Sequence, residues 1–275
     1  MIPFDFEYYQ PETVDEAVQT FAALDARGLS PKYFAGGTEI ITMARVSSLS
    51  FGALIDIKHI PECAVFRQDD NCLILGSALT LTTVIEADVF HLLTLCARRV
   101  ADHTAQHKIT LGGNVAGTII YHEAVLPLLA AGCCAVLAGP QGRREALLAD
   151  LFQPRLKLQN GELLVCFVVP AGTAELPGAH VKHTESEKIG YPVVTAAAVR
   201  AGNQITMAFA GIQPYPVVTQ ADAVYRGTPQ AAADVLLARI KQPLLTDSLA
   251  TGEYRAFLLK SSTANILEEL GGSGA

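Results

Sequence analysis

Residues 6–9 form a short aromatic run that predicts a strand, and Thr13-Val14-Asp15-Glu16 follows as a capping box. In that motif Thr13 and Glu16 satisfy each other's orphan backbone donors at a helix start. Ala17, Val18, Phe21, Ala22 and Leu24 continue at helical spacing, and Gly28 supplies the stop. Residues 32–35 read as a strand ending in Gly36-Gly37, and 40–46 as a helix. The pattern then predicts strands over 53–57 and 72–75 and helices over 82–90 and 92–106. After Gly112-Gly113, residues 124–131 fit a buried helix, and Gly132 separates them from a strand over 133–137. A further strand over 163–169 runs into Pro170-Ala171-Gly172-Thr173, which, with Pro177-Gly178, has the composition of a linker. Beyond it, 180–183, 193–199 and 205–210 resemble strands of an antiparallel sheet, and 229–240 and 254–270 resemble helices. This pattern predicts two α+β units meeting near Ala171.

Composition narrows the class. The chain has 275 residues, 50% of them hydrophobic and 17% charged, so it carries enough apolar material for a packed core. Twenty basic against 27 acidic residues give a net charge of −7, and no run of Lys and Arg tracks a phosphate backbone, which argues against nucleic acid. The longest apolar run, 124–139, is broken by Pro127 and Gly132 and falls short of the ~18 residues of a membrane span. The N-terminus has no basic segment followed by an apolar one, and a cytoplasmic location is expected. Cys63, Cys72, Cys96, Cys133, Cys134 and Cys166 form no C-x-x-C pair and read as reduced core thiols.

The candidate chemistry lies in two glycine pairs. Ala35-Gly36-Gly37-Thr38-Glu39 and Thr110-Leu111-Gly112-Gly113-Asn114 both sit where regular structure breaks. Without Cβ atoms the backbone can turn to positive φ and bring its amides close to an anionic oxygen, and Thr38, Thr110 and Asn114 can add side-chain donors. Read alone, each pair is more often the mark of an ordinary tight turn. Neither G-x-G-x-x-G nor G-x-x-x-x-G-K-[ST] is present, which argues against a nicotinamide-type Rossmann site and a P-loop. His103 and His107, four apart on the expected helix, read as a hydrogen-bonded pair, and no metal site is expected.

The ordered segments Phe34-Ala35-Gly36-Gly37-Thr38-Glu39-Ile40, Leu54-Ile55-Asp56-Ile57, Ile74-Leu75-Gly76-Ser77 and Thr110-Leu111-Gly112-Gly113-Asn114-Val115-Ala116 resemble the signatures of FAD-binding subunits of molybdenum hydroxylases. That family includes the flavin subunits of xanthine dehydrogenase and aerobic carbon monoxide dehydrogenase, and the resemblance continues through Glu162-Leu163-Leu164 and Lys182. It implies an α+β fold. A PCMH-type FAD-binding domain over 1–170, with subdomains of about 1–50 and 51–170, precedes a smaller domain of antiparallel sheet and helices over 171–275.

The resemblance also implies a non-covalent FAD whose pyrophosphate is clasped by backbone amides of both glycine segments. Ala35, Gly36, Gly37, Thr38 and Glu39 form the first segment, and Thr110, Gly112, Gly113, Asn114 and Ala116 the second. Lys32 and Tyr33 stand at the adenosine end, Glu123 at the polyol chain and Leu164 near the flavin ring, while Lys182 reaches the cofactor from the C-terminal unit. Tyr191 corresponds to an aromatic ring over the isoalloxazine. Simpler readings remain for three of these. Glu123 is also explained as a helix N-terminal acid, Lys182 as a solvated lysine and Tyr191 as a half-buried strand residue.

Two stretches depart from the family pattern. Gln106-His107-Lys108-Ile109 replaces an arginine-asparagine pair, and Gly117-Thr118-Ile119-Ile120-Tyr121-His122 is bulkier than usual. The implied function is electron transfer from a [2Fe–2S] partner to NAD or another acceptor, beside a molybdopterin subunit, with no catalytic side chain of its own. The alternative is a scaffold subunit that keeps the fold and has lost FAD.

Overall fold

The computed structural model describes residues 2–152, 156–186 and 189–273. A small parallel sheet opens the chain: β1 (Glu7–Tyr9) and β2 (Lys32–Phe34) flank β3 (Ala53–Asp56). Its central strand thus lies just past the subdomain boundary expected near residue 50. Helix α1 (Val14–Ala26) buries Val14, Ala17, Phe21 and Leu24 against Ala53 and Ile55 of β3. At its start Thr13 Oγ1 accepts the Glu16 N–H at 3.1 Å, while the Glu16 carboxylate reaches back to the Glu12 N–H at 2.8 Å. The capping box forms with its return bond one residue earlier than the motif implies. Helix α2 (Thr38–Arg45) follows β2 directly.

The second layer is a five-stranded antiparallel sheet in the order β4-β5-β8-β6-β7, built from β4 (Phe66–Gln68), β5 (Cys72–Gly76), β6 (Cys134–Gly139), β7 (Gly142–Leu147) and β8 (Leu163–Pro170). Between β5 and β6 come α3 (Leu81–Ala87), α4 (His91–Ala97), α5 (His103–Gln106), α6 (Leu111–Ala116) and α7 (Val125–Ala130), and α8 (Leu148–Leu151) follows β7. The helix expected over 92–106 is therefore two helices, broken where Ala101 adopts φ 55°. Gly112 and Gly113, expected in a turn, lie inside α6.

The C-terminal unit is a meander in the order β12-β11-β10-β9, made by β9 (Gly178–Thr184), β10 (Pro192–Ala201), β11 (Gln204–Ala210) and β12 (Val217–Asp222). Helices α9 (Pro229–Leu237) and α10 (Gly252–Leu270) cover one face, against Ala196, Ala198, Met207 and Phe209. The opposite face presents Ala197, Val199, Ala208 and Ala210 to the core around α4 and α7. Being covered on both sides explains why β10 is apolar almost throughout instead of alternating. Arg255 of α10, fully buried, donates to the carbonyls of Val193 and Gly211 and to Asp247, tying the long helix to the strand ends. A short parallel pair, β13 (Val224–Tyr225) with β14 (Gly272–Ser273), closes the chain.

Candidate cofactor-binding site

The first glycine segment joins β2 to α2. Gly37 takes φ 71° at the N-cap of α2, a left-handed conformation that favours glycine, and no side chain caps the helix. The first-turn amides of α2, those of Thr38, Glu39 and Ile40, have no acceptor within the helix. Gly36 crosses the end of α5 so closely that an added Cβ would fall onto the Lys108 carbonyl oxygen and 2.8 Å from its carbon. Behind the segment, Lys58 Nζ donates to the Ala35 carbonyl at 3.3 Å and pairs with Asp56 at 2.6 Å, while sitting 4.6 Å from the Phe34 ring centre. The Tyr8 hydroxyl also donates to the buried Asp56. Burial opposes ionisation of Asp56, but the bonds from Lys58 and Tyr8 outweigh it and hold its carboxyl below the ordinary range. Lys58 and Tyr8 escape a sequence reading; the only signal is an acid inside the apolar run Leu54-Ile55-Asp56-Ile57.

The second segment is organised differently. Thr110 caps α6, its Oγ1 accepting the Gly113 N–H at 3.2 Å. The N–H groups of Leu111 and Gly112 donate to the carbonyls of Leu79 and Ser77, each at 2.8 Å. A Cβ on Gly112 would meet the Ser77 Cβ at 2.5 Å, so glycine here allows α6 to lie against the segment leaving β5. The three leading N–H groups of this segment thus already have acceptors inside the protein. Asn114 is equally engaged: its Oδ1 accepts the Ala124 N–H at 3.1 Å, and its carbonyl accepts from His122 Nδ1 at 2.9 Å. Gly113 and Ala116 are exposed.

The first segment meets residues that flank the second, first where Gly36 crosses Lys108. The second contact is through Glu39, whose Oε1 accepts the Thr118 N–H at 2.8 Å and its hydroxyl at 2.6 Å. The bulky stretch after α6 then turns Tyr121 onto Tyr191, with ring centres 4.9 Å apart and planes inclined by 24°. Tyr191 is 57% exposed and immediately precedes β10, so it is not the half-buried strand residue of the simpler reading.

Glu123 and Lys182 meet in a 2.7 Å ion pair, and Lys182 Nζ also donates to the Arg99 carbonyl at 2.7 Å. Both side chains are buried, so Lys182 is not a solvated lysine. Burial pushes the Glu123 carboxyl up to about 7 against the pull of Lys182, and burial lowers the Lys182 ammonium. Leu164 is buried on β8, which packs against α6. Tyr33 has its ring near Phe21 and its hydroxyl donating to the Gly161 carbonyl at 2.9 Å, while Lys32 and Thr38 are exposed. Among the described residues no three His, Cys, Asp or Glu side chains gather as metal ligands.

Two crossing glycine segments, one with an uncapped helix start, provide a setting for an anionic cofactor. The sequence profile described as "FAD binding domain in molybdopterin dehydrogenase" matches residues 4–172. The chain belongs to this family. One relative of this FAD-binding family member is the carbon monoxide dehydrogenase medium chain of Hydrogenophaga pseudoflava, 30% identical over 177 residues. That match covers 62% of this chain and 61% of the relative, so it spans about three-fifths of the relative's length. The nicotinate dehydrogenase FAD-subunit of Eubacterium barkeri is 24% identical over 200 residues, 69% of this chain and 67% of that one. Among solved structures, the carbon monoxide dehydrogenase of Hydrogenophaga pseudoflava that lacks the Mo-pyranopterin moiety superposes with TM-score 0.84 at 24% identity, over 98% of each chain. Quinoline 2-oxidoreductase from Pseudomonas putida 86 gives 0.83 at 20%, again over 98% of each. These likenesses extend the fold through the C-terminal unit. No described helix is long and apolar enough to cross a membrane.

Proposed function

We propose that the chain holds FAD non-covalently and serves as the electron-transfer subunit of a molybdenum hydroxylase complex. The observation that carries this reading is the crossing of Gly36 over Lys108 beside the uncapped N-terminus of α2. A helix start with unpaired amides next to a left-handed glycine suits a diphosphate, so the residues present fit the cofactor. Gly36, Gly37, Thr38 and Glu39 would hold its pyrophosphate through backbone N–H groups, with Gly113 and Ala116 facing them across the cleft. When bound, flavin takes up electrons singly and releases them as a pair.

The protein's own work is positional. Lys58 fixes Ala35, and Glu39 fastens the end of α6 to the start of α2. Tyr121 and Tyr191 offer an aromatic surface, and Lys32 and Tyr33 mark the adenosine end. Glu123, Lys182 and Leu164 line the inner wall in this reading. The chain divides near residue 171 into the FAD-holding unit and a C-terminal cover.

A [2Fe–2S] subunit would deliver electrons, a molybdopterin subunit would oxidise the substrate, and NAD or another acceptor would receive them. All six cysteines are free, which suits the cytoplasm, and in this reading none of them holds the iron–sulfur cluster. The second reading, a scaffold without FAD, is favoured by one observation: the leading amides of α6 are already taken.

The test is incubation with FAD, removal of free cofactor, a visible spectrum and acid release of bound flavin, on the chain alone and co-expressed with its partner chains. We expect one FAD per chain, with binding weakened at least about tenfold in Gly36→Ala because the new methyl drives the two segments apart. Flavin absent from both the chain and the complex would select the scaffold.

A further inference from the structure

Helix α5 and the residue after it carry His103-Thr104-Ala105-Gln106-His107, and residues four apart on a helical turn share one face. Both rings are exposed. Their Nε2 atoms lie 3.1 Å apart, with ring centres at 4.5 Å and planes inclined by 65°. The turn that holds them is fixed at both ends. Asp102 Oδ1 accepts the Ala105 N–H at 2.7 Å, and the buried Gln106 amide nitrogen is 3.1 Å from the Val100 carbonyl and 3.3 Å from those of Arg98 and Ala101.

Zinc–imidazole bonds of about 2.0–2.1 Å at ligand angles of about 90–110° set two nitrogens about 2.9–3.4 Å apart. The observed separation falls within that span. We propose that His103 and His107 form a two-imidazole chelate for a divalent cation of the copper, nickel and zinc class. Imidazole suits these ions, whereas magnesium and calcium take oxygen ligands that this face does not offer. Among the described residues no third side chain joins the pair, so the remaining coordination positions belong to water.

Without metal, one ring donates its Nε2–H to the other's lone pair. Binding needs that proton on Nδ1, so that two Nε2 lone pairs replace two metal-bound waters; no electron is transferred. The consequence is local. The clamped turn leads into Lys108, whose carbonyl lies against Gly36, so the cation stiffens the strut behind the first glycine segment. The proposal stands whether or not the chain holds FAD.

Copper(II) added to the full chain, followed by calorimetry and electron paramagnetic resonance, tests it. We expect one saturable site per chain with a two-nitrogen signature. His103→Gln and His107→Gln should each weaken it by about 100-fold, since losing one arm of a chelate removes the effective concentration that the other supplied. His59→Gln and His91→Gln, exposed histidines elsewhere, should leave it unchanged. A one-nitrogen spectrum, the absence of a one-to-one site, or undiminished binding in the His103 and His107 variants would overturn the proposal. The spectrum of the unmodified chain decides even where a variant fails to fold.

Discussion

His180 stands two residues before Lys182 on β9, with its Nε2 3.3 Å from the Thr195 hydroxyl. Burial, reinforced by the positive charges of Arg99 and Lys182, drives its pKa from 6.5 down to about 4. The unfolded chain therefore takes up a proton at this ring below about pH 6.5, while the folded chain resists until about pH 4. Stability from this group is complete above the upper value and is lost as pH falls toward the lower one, by up to about 3 kcal/mol. His180→Gln, which keeps a partner for Thr195 without a titrating ring, should flatten that part of the profile in urea unfolding from pH 7 to 4; parallel profiles would refute it. Single residues were unevenly legible in the sequence. Gly36 and Gly37 announce themselves because the backbone needs glycine there. Lys58 does not, because its partners Tyr8, Phe34 and Ala35 come from other elements. Glu123 and Lys182 are each visible, but their pairing across 59 positions is not, because it joins elements far apart in the chain.

At the scale of elements, the misreadings share two physical causes. Strands β4, β7 and β12 lie at sheet edges, β4 exposed throughout and β7 and β12 with only alternate residues half-buried, so the apolar run that betrays a strand is weak. The break between α4 and α5 is hidden for the opposite reason, since helical spacing continues across it while a local side-chain contact spans the interruption. That contact is Gln106, whose Nε2 lies within 3.5 Å of the carbonyls of Ala97, Arg98, Val100 and Ala101. With two N–H groups it satisfies at most two of them at once, which is enough to hold the frayed end of α4 against α5. Gln106→Leu preserves volume but leaves buried carbonyls without a donor, and it should cost about 1–3 kcal/mol in chemical denaturation. Amide exchange in α5 should accelerate as well, since α5 then loses its anchor. An unchanged midpoint with unchanged exchange would mean that packing alone sets the angle between the helices. Because α5 leads to Lys108, the same variant should loosen the crossing at Gly36, which makes Gln106 part of the site's support.

Across the whole molecule, the C-terminal meander is a separate sheet whose inner face joins the core of the residues before it. The largest core joins Leu92, Leu93, Cys96, Leu126 and Leu129 of α4 and α7 to Ala197, Val199, Ala208 and Ala210 of the C-terminal sheet. Those alanines and the valine are small, and that lets β10 and β11 approach the helices closely, so the sheet acts as a wall of the N-terminal unit's core. The Glu123–Lys182 pair crosses the same plane. A fragment of residues 1–172 would keep every strand of the first two sheets, yet it would expose the outer faces of α4 and α7. It would also leave Glu123 without its cation, and breaking a buried pair from one side costs about 3–5 kcal/mol. With total stabilities of about 5–15 kcal/mol, that loss and the uncovered apolar surface together exceed what the fragment can bear. The full chain should therefore melt in one calorimetric transition with equal calorimetric and van't Hoff enthalpies. The fragment should lose its near-ultraviolet tyrosine signal and bind a hydrophobic dye while keeping much of its far-ultraviolet spectrum. A fragment that melts cooperatively close to the full-length temperature would show instead that the C-terminal sheet is an accessory, and that the N-terminal core closes without it.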